Sequence, residues 1–459
     1  MRVKFLVCFS ILVVPQILSS EEKLRFSGDI RSNLYVGLIY GDIYNYFNSN
    51  MVTLKGEAKP NDSISGGFEI RLRNENIADL DRLDELKYRR YVEPVSWQFY
   101  EAFMQFNAIF MKELDIKVGK QRISWGTADG FNPTDNFSPL DLEDPLDFKN
   151  KLSVWALSAN FYYSRFDLQL VLQPLFEPAL LPNINLFATE SNVVVDQYKD
   201  RVLEPELILP EFRIKNSIYG ARLKYKGEIF DVSASYFHGY LGIPVLREVK
   251  IETGGFALKS ITPVLFYPTQ DVLGLDMAVD IFDIGIFGEM AYIIPERVEP
   301  LYYVNGHKLD EQSKRAFGIN KNILSVEDKH YLKFAVGLDY TFKGGYYINV
   351  QFVRGFFNEV SYSSLNNYLF AYLKKDFFDS TFNIQPSFGI EFDSDSDEKF
   401  GGEEIRGEKA IILSLEATYF PFSNGKITIG GAVARGDRGS NLEMFEKLDQ
   451  MYLKFRMDF

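Results

Sequence analysis

The chain has 459 residues, with 50 Lys and Arg against 63 Asp and Glu, a formal charge of −13. That acidity argues against a nucleic-acid partner, which needs a cationic surface, and the single cysteine, Cys8, excludes a disulfide framework or a thiolate metal site. Mean hydropathy is −0.13, with 27 Tyr and 41 Phe. A membrane β-barrel shares that neutral average, because every second residue faces water while aromatics collect at both rims.

Arg2 and Lys4 precede an apolar run from Phe5 to Leu18, followed by Ser19-Ser20 and the polar Glu21-Glu22-Lys23. A charged start, a short apolar segment and small residues at its exit read as a secretory signal peptide over 1–20. The run is short for a transmembrane helix. Cys8 comes too early for a lipoprotein acceptor and reads as part of the signal's apolar core. Residues 21–459 then read as one unit, without linker, second domain or low-complexity tract.

Alternating segments begin near 25–40, 50–58 and 62–73, the last of them putting Glu69, Arg71 and Arg73 on one face. The most distinctive stretch follows. Trp97–Phe106 leads through a turn into Leu114-Asp-Ile-Lys-Val-Gly-Lys-Gln-Arg-Ile-Ser-Trp-Gly126, then Asp129-Gly-Phe-Asn-Pro-Thr-Asp135 and Ser138-Pro-Leu-Asp141. This resembles a family of Gram-negative porin-like outer-membrane proteins of largely unknown function. Its hallmark is Val-Gly-Arg-Gln, then Trp-Gly, then Asn-Pro-x-Asp, here carried by Gly119, Gln121, Trp125, Gly126, Asn132 and Pro133. Lys120 stands where the family has arginine, which keeps the charge. Weaker similarity extends through Gly274-Leu-Asp276 and Gly288-Glu-Met-Ala-Tyr292. The resemblance implies a passive channel, in some members linked to hydrophobic or aromatic substrates.

Within this stretch the alternation changes phase, because Ile116 and Val118 share a face with Lys120, Arg122 and Ser124. Either a bulge resets the register or the upper strand leaves the lipid zone. The segment from Thr127 to Asn150, with three prolines and six acids, is too polar for lipid and too long for an idle turn. The expectation is a third long loop that folds inward and narrows a pore. Asp129, Asp135, Asp141 and Asp144 would then face Lys120 and Arg122 across a transverse field. The alternative is a solvated surface loop whose Asp and Pro residues shape turns.

Further alternating segments lie near 97–108, 114–126, 152–163, 165–174, 216–226, 229–240, 269–281, 285–295, 330–342, 345–357, 367–378, 381–392, 409–420, 426–435 and 449–459. Each is about as long as a tilted membrane strand. Tight connections such as Lys226-Gly-Glu228, Phe282-Asp283 and Ser423-Asn-Gly-Lys426 alternate with long ones near 74–96, 126–151, 174–215, 241–268, 296–329, 393–408 and 436–448. Short turns at one end and long loops at the other are the pattern of an outer-membrane barrel. The prediction is therefore all-β: a single transmembrane antiparallel up-and-down barrel of eighteen strands, sixteen being the alternative count. It has short periplasmic turns and long extracellular loops. A charge turned toward lipid costs about 2–4 kcal/mol at mid-bilayer. Glu69, Arg71, Arg222, Lys224, Asp276, Asp280, Glu289, Lys333, Asp339, Glu416, Lys454 and Arg456 are thereby assigned to the lumen wall.

The segment Pro174–Lys215, with the apolar Val193-Val-Val195, has the length to cap or plug such a barrel. Asp393–Glu404 places acids at positions 1, 3, 5 and 12 of a calcium-loop pattern, but Glu398 occupies the position that needs glycine, so it reads as an acidic loop. Only His238, His307 and His330 are available, without a nucleophile motif, so neither an enzyme nor a cofactor or metal site is expected.

The chain closes on Met451, Leu453, Phe455, Met457 and Phe459 on one face, against Gln450, Tyr452, Lys454, Arg456 and Asp458 on the other. A terminal strand ending in phenylalanine resembles the signal by which the bacterial barrel-assembly machinery recognises its clients. The expected partners are that machinery, outer-membrane lipid and lipopolysaccharide, and small-molecule solutes. The expected function is passive diffusion of small molecules across the outer membrane. The alternative is a surface adhesin or structural barrel with a closed lumen.

Overall fold

The computed structural model describes residues 24–39, 42–75, 87, 89, 93–144, 146–147, 149–181, 200–255, 257–316, 325–392, 409–437, 440–442, 445 and 449–459. The signal-peptide reading of 1–20, the Val193–Val195 centre of the 174–215 segment and the acidic run Asp393–Glu404 lie outside these residues.

Seven strands come first: β1 (Leu24–Ile39), β2 (Asp42–Asn61), β3 (Ile64–Glu75), β4 (Val95–Phe106), β5 (Leu114–Gln121), β6 (Val154–Tyr163) and β7 (Phe166–Gln173). Next are β8 (Glu206–Ile208), β9 (Ile218–Lys226), β10 (Phe230–Tyr240), β11 (Val245–Gly254), β12 (Ala257–Phe266), β13 (Thr269–Ile281) and β14 (Ile284–Pro295). Then β15 (Leu301–Val304) and β16 (His307–Lys308) precede β17 (Tyr331–Phe342), β18 (Tyr346–Arg354) and β19 (Asn367–Phe377). The last are β20 (Phe382–Phe392), β21 (Lys409–Phe422), β22 (Gly425–Gly436) and β23 (Gln450–Asp458).

Eighteen of these strands, all but β8, β11, β12, β15 and β16, form one antiparallel sheet. It closes on itself where β1 pairs with β23, from Asp29 opposite Asp458 to Gly37 opposite Gln450. Closure leaves no unpaired strand edge, which is what a sheet in hydrocarbon requires. Each barrel strand lies where the alternation places it, with ends differing by a few residues; β2 begins furthest from expectation, at Asp42.

The two faces have opposite chemistry. On β23, Met451 is 53% exposed on the outside while its neighbour Tyr452, pointing inward, is 7% exposed. Phe282 and Asp283 both adopt left-handed backbone, the two-residue turn whose twist matches a hairpin, and they join β13 to β14. Among the described residues no helix is long and apolar enough to cross a membrane.

The five remaining strands correct the reading of 241–268 and its neighbours as plain loops. They form a separate sheet in the order β16-β15-β11-β12-β8. β11 and β12 are an antiparallel hairpin; β15 runs parallel to β11, and β8 parallel to β12. Val249, Ile261, Tyr302 and Leu309 pack its small core. Three long connections of the barrel, after β7, β10 and β14, are thereby joined at the long-loop end.

The main hydrophobic clusters lie inside the barrel. Ile123, Trp125 and Phe137 from the connection after β5 pack on Val154, Val171, Ile218, Phe237, Val272, Ala291 and Tyr331 of the wall. Phe356, Leu442 and Phe445, from the connections after β18 and β22, pack on Ala335, Val353, Tyr368, Ala410 and Ala434. The lumen is therefore partly filled by its own connections.

Candidate functional site

The site is built where the chain leaves β5. Gly119 has φ +125°, and a side chain there would run into the backbone at Ala102 and Phe103. Gln121 ends the strand with its amide bonded to the Ala156 carbonyl at 2.8 Å and accepting from Ser158 at 3.0 Å. Beyond it the chain turns into the barrel. The Ile123 N–H donates to Ser138 at 3.0 Å, the Trp125 N–H to Asp135 at 3.3 Å, and the buried indole N–H of Trp125 to Gln169 at 2.7 Å.

Glu289 on β14 is the anchor of this turn. Its carboxylate accepts from the Ala128 N–H at 3.1 Å and from the Thr134 hydroxyl. Gly126 stands at φ +89°, where a side chain would collide with that carboxylate and with the Asn132 amide. The Asn132 carbonyl accepts from the Asp135 N–H at 3.0 Å, and the Pro133 carbonyl from the Asn136 amide at 3.0 Å. Gly126, Asn132 and Pro133 thus shape a clasp between the inward segment and the wall, with Trp125 packed beside it.

From this clasp the segment reaches other strands. Asp129 pairs with Lys149 of its own segment and accepts from Tyr372 on β19 at 3.1 Å, while Phe131 stacks on Phe370 with centroids 5.0 Å apart. Glu143 pairs with Arg73 on β3. Asp144 accepts from Tyr35 on β1 at 2.5 Å and lies 3.3 Å from the Lys454 ammonium on β23. The segment therefore touches β14, β19, β1, β3 and β23.

Two sizeable cavities remain beside it, of about 700 Å³ and about 460 Å³. Arg31, Lys55, Arg71, Arg73, Arg122, Lys426 and Arg456 line the larger with the acids Glu69, Asp141 and Glu143. Asn349, Gln351, Gln385, Ser387 and Ser414 line the smaller. Asp144, Asp147, Glu416 and Lys454 border both.

The residues expected at the pore divide accordingly. Arg122, Asp141 and Asp144 line the larger cavity, and Asp129 the smaller. Asp135 is buried, 3.4 Å from Lys151, and burial pushes its carboxyl above the usual range against the opposing pull of that lysine. It belongs to the packed clasp. Lys120 corrects the expectation: it lies opposite Trp155, whose side chain is 45% exposed on the outer face, and pairs with Glu177 at 3.3 Å. The phase change falls after Gln121, where the strand ends, so that Arg122 but not Lys120 turns inward.

The expected wall charges are largely paired. Glu69 holds Arg71 at 2.6 Å and Lys55 at 3.0 Å, and Arg71 stacks over Tyr100. Asp276 holds Arg222 at 3.1 Å and accepts from Ser233; Lys224 pairs with Asp231 at 2.7 Å. Lys333 donates to the Phe356 carbonyl at 2.6 Å, and Arg456 pairs with Asp458 at 2.6 Å. Asp339 lies half-buried on β17 beside Gly285. His238 on β10 bonds to Asp271 at 2.9 Å, and His330, just before β17, to Tyr292 at 2.9 Å, far apart in sequence.

A second clasp carried no local sequence signal. Glu359, from the connection after β18, accepts from the Phe356 N–H at 2.6 Å, from Tyr368 at 2.5 Å and from the Asn441 amide at 2.7 Å. Glu391, on β20, accepts from the Asn366 amide at 2.8 Å and from the backbone N–H groups of Asn441 and Leu442 at 2.9 and 2.7 Å. Two buried carboxylates thus hold the connections after β18 and β22 to the wall. Burial pushes the Glu359 carboxyl up to about 7.

A closed eighteen-stranded barrel with connections packed inside it belongs to the architectural class of outer-membrane porins. Its sequence places it more narrowly. The chain belongs to the family described as "Protein of unknown function (DUF1302)", whose profile matches residues 45–314. Similar solved structures include OccAB4 and OccAB3 of Acinetobacter baumannii, each with a TM-score of 0.51. Their identities are 8% and 10%; 95% of this chain is covered in both, and 98% and 99% of theirs. The outer membrane protein opdK of Pseudomonas aeruginosa has a TM-score of 0.50 at 9% identity, over 95% of this chain and 98% of that one. At such identities the likeness concerns the fold. No curated protein matches.

Proposed function

We propose that this protein is an outer-membrane channel for passive diffusion of small polar molecules, with the segment after β5 folded inward as its constriction. The short turns then face the periplasm and the five-stranded sheet faces outward, after export directed by residues 1–20. Barrel-assembly machinery engages the strand ending at Phe459, and lipopolysaccharide surrounds the long-loop end.

The observation that carries this reading is the placement of Asp144, bonded to Tyr35 on β1 and 3.3 Å from Lys454 on β23, while its segment is anchored at Glu289 on β14, seven strands around the barrel from β23. An acidic segment held opposite Arg31, Arg71 and Arg456 creates a transverse field, which orders the dipole of a permeating solute in a narrow low-dielectric space. Planar-bilayer recording of the pure, folded protein tests the proposal. Discrete conductance steps are expected; their absence from protein shown to be folded by a heat-modifiable gel shift rejects the channel.

A further inference from the structure

The inward segment separates two spaces of unlike chemistry, and strand register explains the difference. Around the larger cavity, one rung of directly opposed inward residues reads Lys426, Arg456, Arg31, Met51, Arg73 across β22, β23, β1, β2 and β3. Around the smaller cavity, one rung reads Asn349, Tyr372, Ser387, Ser414, Ala432, Gln450 across β18 to β23. Six adjacent strands contribute to that second rung without one charged side chain.

The centre of the uncharged rung is also its smallest part. Ser387, Ser414 and Ala432 are neighbours on three strands, and adjacent strands stand about 4.8 Å apart, so the wall is recessed over about 10 Å. The larger side chains of Tyr372 and Gln450 flank the recess, and Asp129 and Phe131 of the inward segment face it. The resulting volume, about 460 Å³, is within the roughly 300–1,000 Å³ of small-molecule sites. Gln351, one step along β18 from Asn349, lines the same cavity at 2% exposure, and neither of its amide atoms has a hydrogen-bond partner. A buried amide left without a hydrogen bond is costly and calls for a partner.

We propose that this recess binds an uncharged, polyhydroxylated solute of mono- to disaccharide size, hydrogen-bonded by Asn349, Gln351, Ser387 and Ser414. The proposal rests on the channel reading, since the recess opens on the lumen. Amides and hydroxyls both donate and accept, as a sugar hydroxyl does, whereas an apolar ligand would leave them unpaired. An anion meets Asp129, Asp144, Asp147 and Glu416 at the rim, which outnumber Lys149 and Lys454. A cation finds those acids engaged: Asp129 with Lys149 and Tyr372, Asp144 with Lys454 and Tyr35, Asp147 with Asn150, and Glu416 with Tyr452.

The test uses the full-length protein in planar bilayers with glucose and sucrose as probes, and gluconate and glucosamine as charged analogues. The neutral sugars are expected to interrupt the current in a concentration-dependent way, at concentrations at least tenfold below those at which either charged analogue does. Gln351→Leu is expected to weaken that interruption tenfold or more, and Ser414→Leu, which fills the recess, to abolish it; Lys120→Ala, on the outer face, is the control. Equal interruption by a charged analogue, or neutral-sugar interruption unchanged in both Gln351→Leu and Ser414→Leu, overturns the proposal. If the folded protein conducts no current, the channel reading falls, and calorimetric titration of detergent-solubilised protein with sucrose decides the site alone. Heat of binding lost in Gln351→Leu supports the site, and no heat from the unaltered protein rejects it.

Discussion

The hydroxyl of Thr134 donates to the carboxylate of Glu289, 155 residues further along the chain, and this contact fastens the inward segment to the barrel wall. Removing one partner from a buried hydrogen bond strands the other, at about 1–3 kcal/mol per group. Glu289→Ala strands both Thr134 and Ala128. It is expected to lower the thermal midpoint of the heat-modifiable form and to widen the open-channel current distribution. Gly126→Ala should act in the same direction, because its side chain would collide with the same carboxylate. A midpoint and current distribution equal to those of the unaltered protein in both variants contradicts the clasp.

The acids of the inward segment are not equivalent. Asp144 lies between the two cavities beside Lys454, whereas Asp135 is packed against Lys151. Asp144→Asn is expected to move the reversal potential in a salt gradient toward anion preference. Asp135→Asn should leave the reversal potential in place and cost about 1–3 kcal/mol of stability through its lost contacts. Lys120→Ala, on the outer face, should move neither. A shift with Asp135→Asn as large as with Asp144→Asn refutes this division.

The second clasp carries a pH dependence of defined sign. The Glu359 carboxyl is pushed up to about 7 by burial, so the folded state holds this proton more tightly than the unfolded chain does. Stability from this group is then greatest at acid pH and declines as pH rises from the ordinary glutamate range through about 7. The thermal midpoint of the unaltered protein should therefore fall between pH 5 and pH 8 by more than that of Glu359→Gln. Parallel slopes for the two proteins rule the assignment out.

The barrel's seam depends on Gly28. Its N–H and carbonyl bond to Phe459 at 2.8 and 2.9 Å, and a side chain there would strike the Phe459 ring and the Thr53 carbonyl. Gly28→Val is expected to reduce the yield of the compact gel form severalfold, read from heat modifiability after refolding. Full yield would show that the terminal contact does not limit closure.

The barrel was readable because lipid outside and water or polar packing inside force a period of two on each strand. Met451 and Tyr452 show that contrast within two residues. The acids and prolines after β5 mark a long polar connection, whereas its partners on β14, β19, β1 and β23 are distant in sequence and carry no local signal. Lys120 was misread because the strand's end, and not the alternation, decides where the chain turns. β11 and β12 have the alternation of a half-buried hairpin, yet nothing local tells a hairpin in the barrel from one above it. Glu359, Glu391 and Asn441 meet from three segments up to 82 residues apart, so no short pattern announces them.

The small sheet of β8, β11, β12, β15 and β16 bears on how the surface can change over time. Loops on a barrel usually diverge one at a time, because each is tethered only to its own two strands. Here a residue altered on β11 is felt by β15 through the parallel pairing at Val249 and Tyr302, and one altered on β12 by β8 through Val264 and Glu206. Variation in these three connections is therefore expected to be concerted, and an antibody raised against this face would recognise a composite epitope that no single linear peptide reproduces.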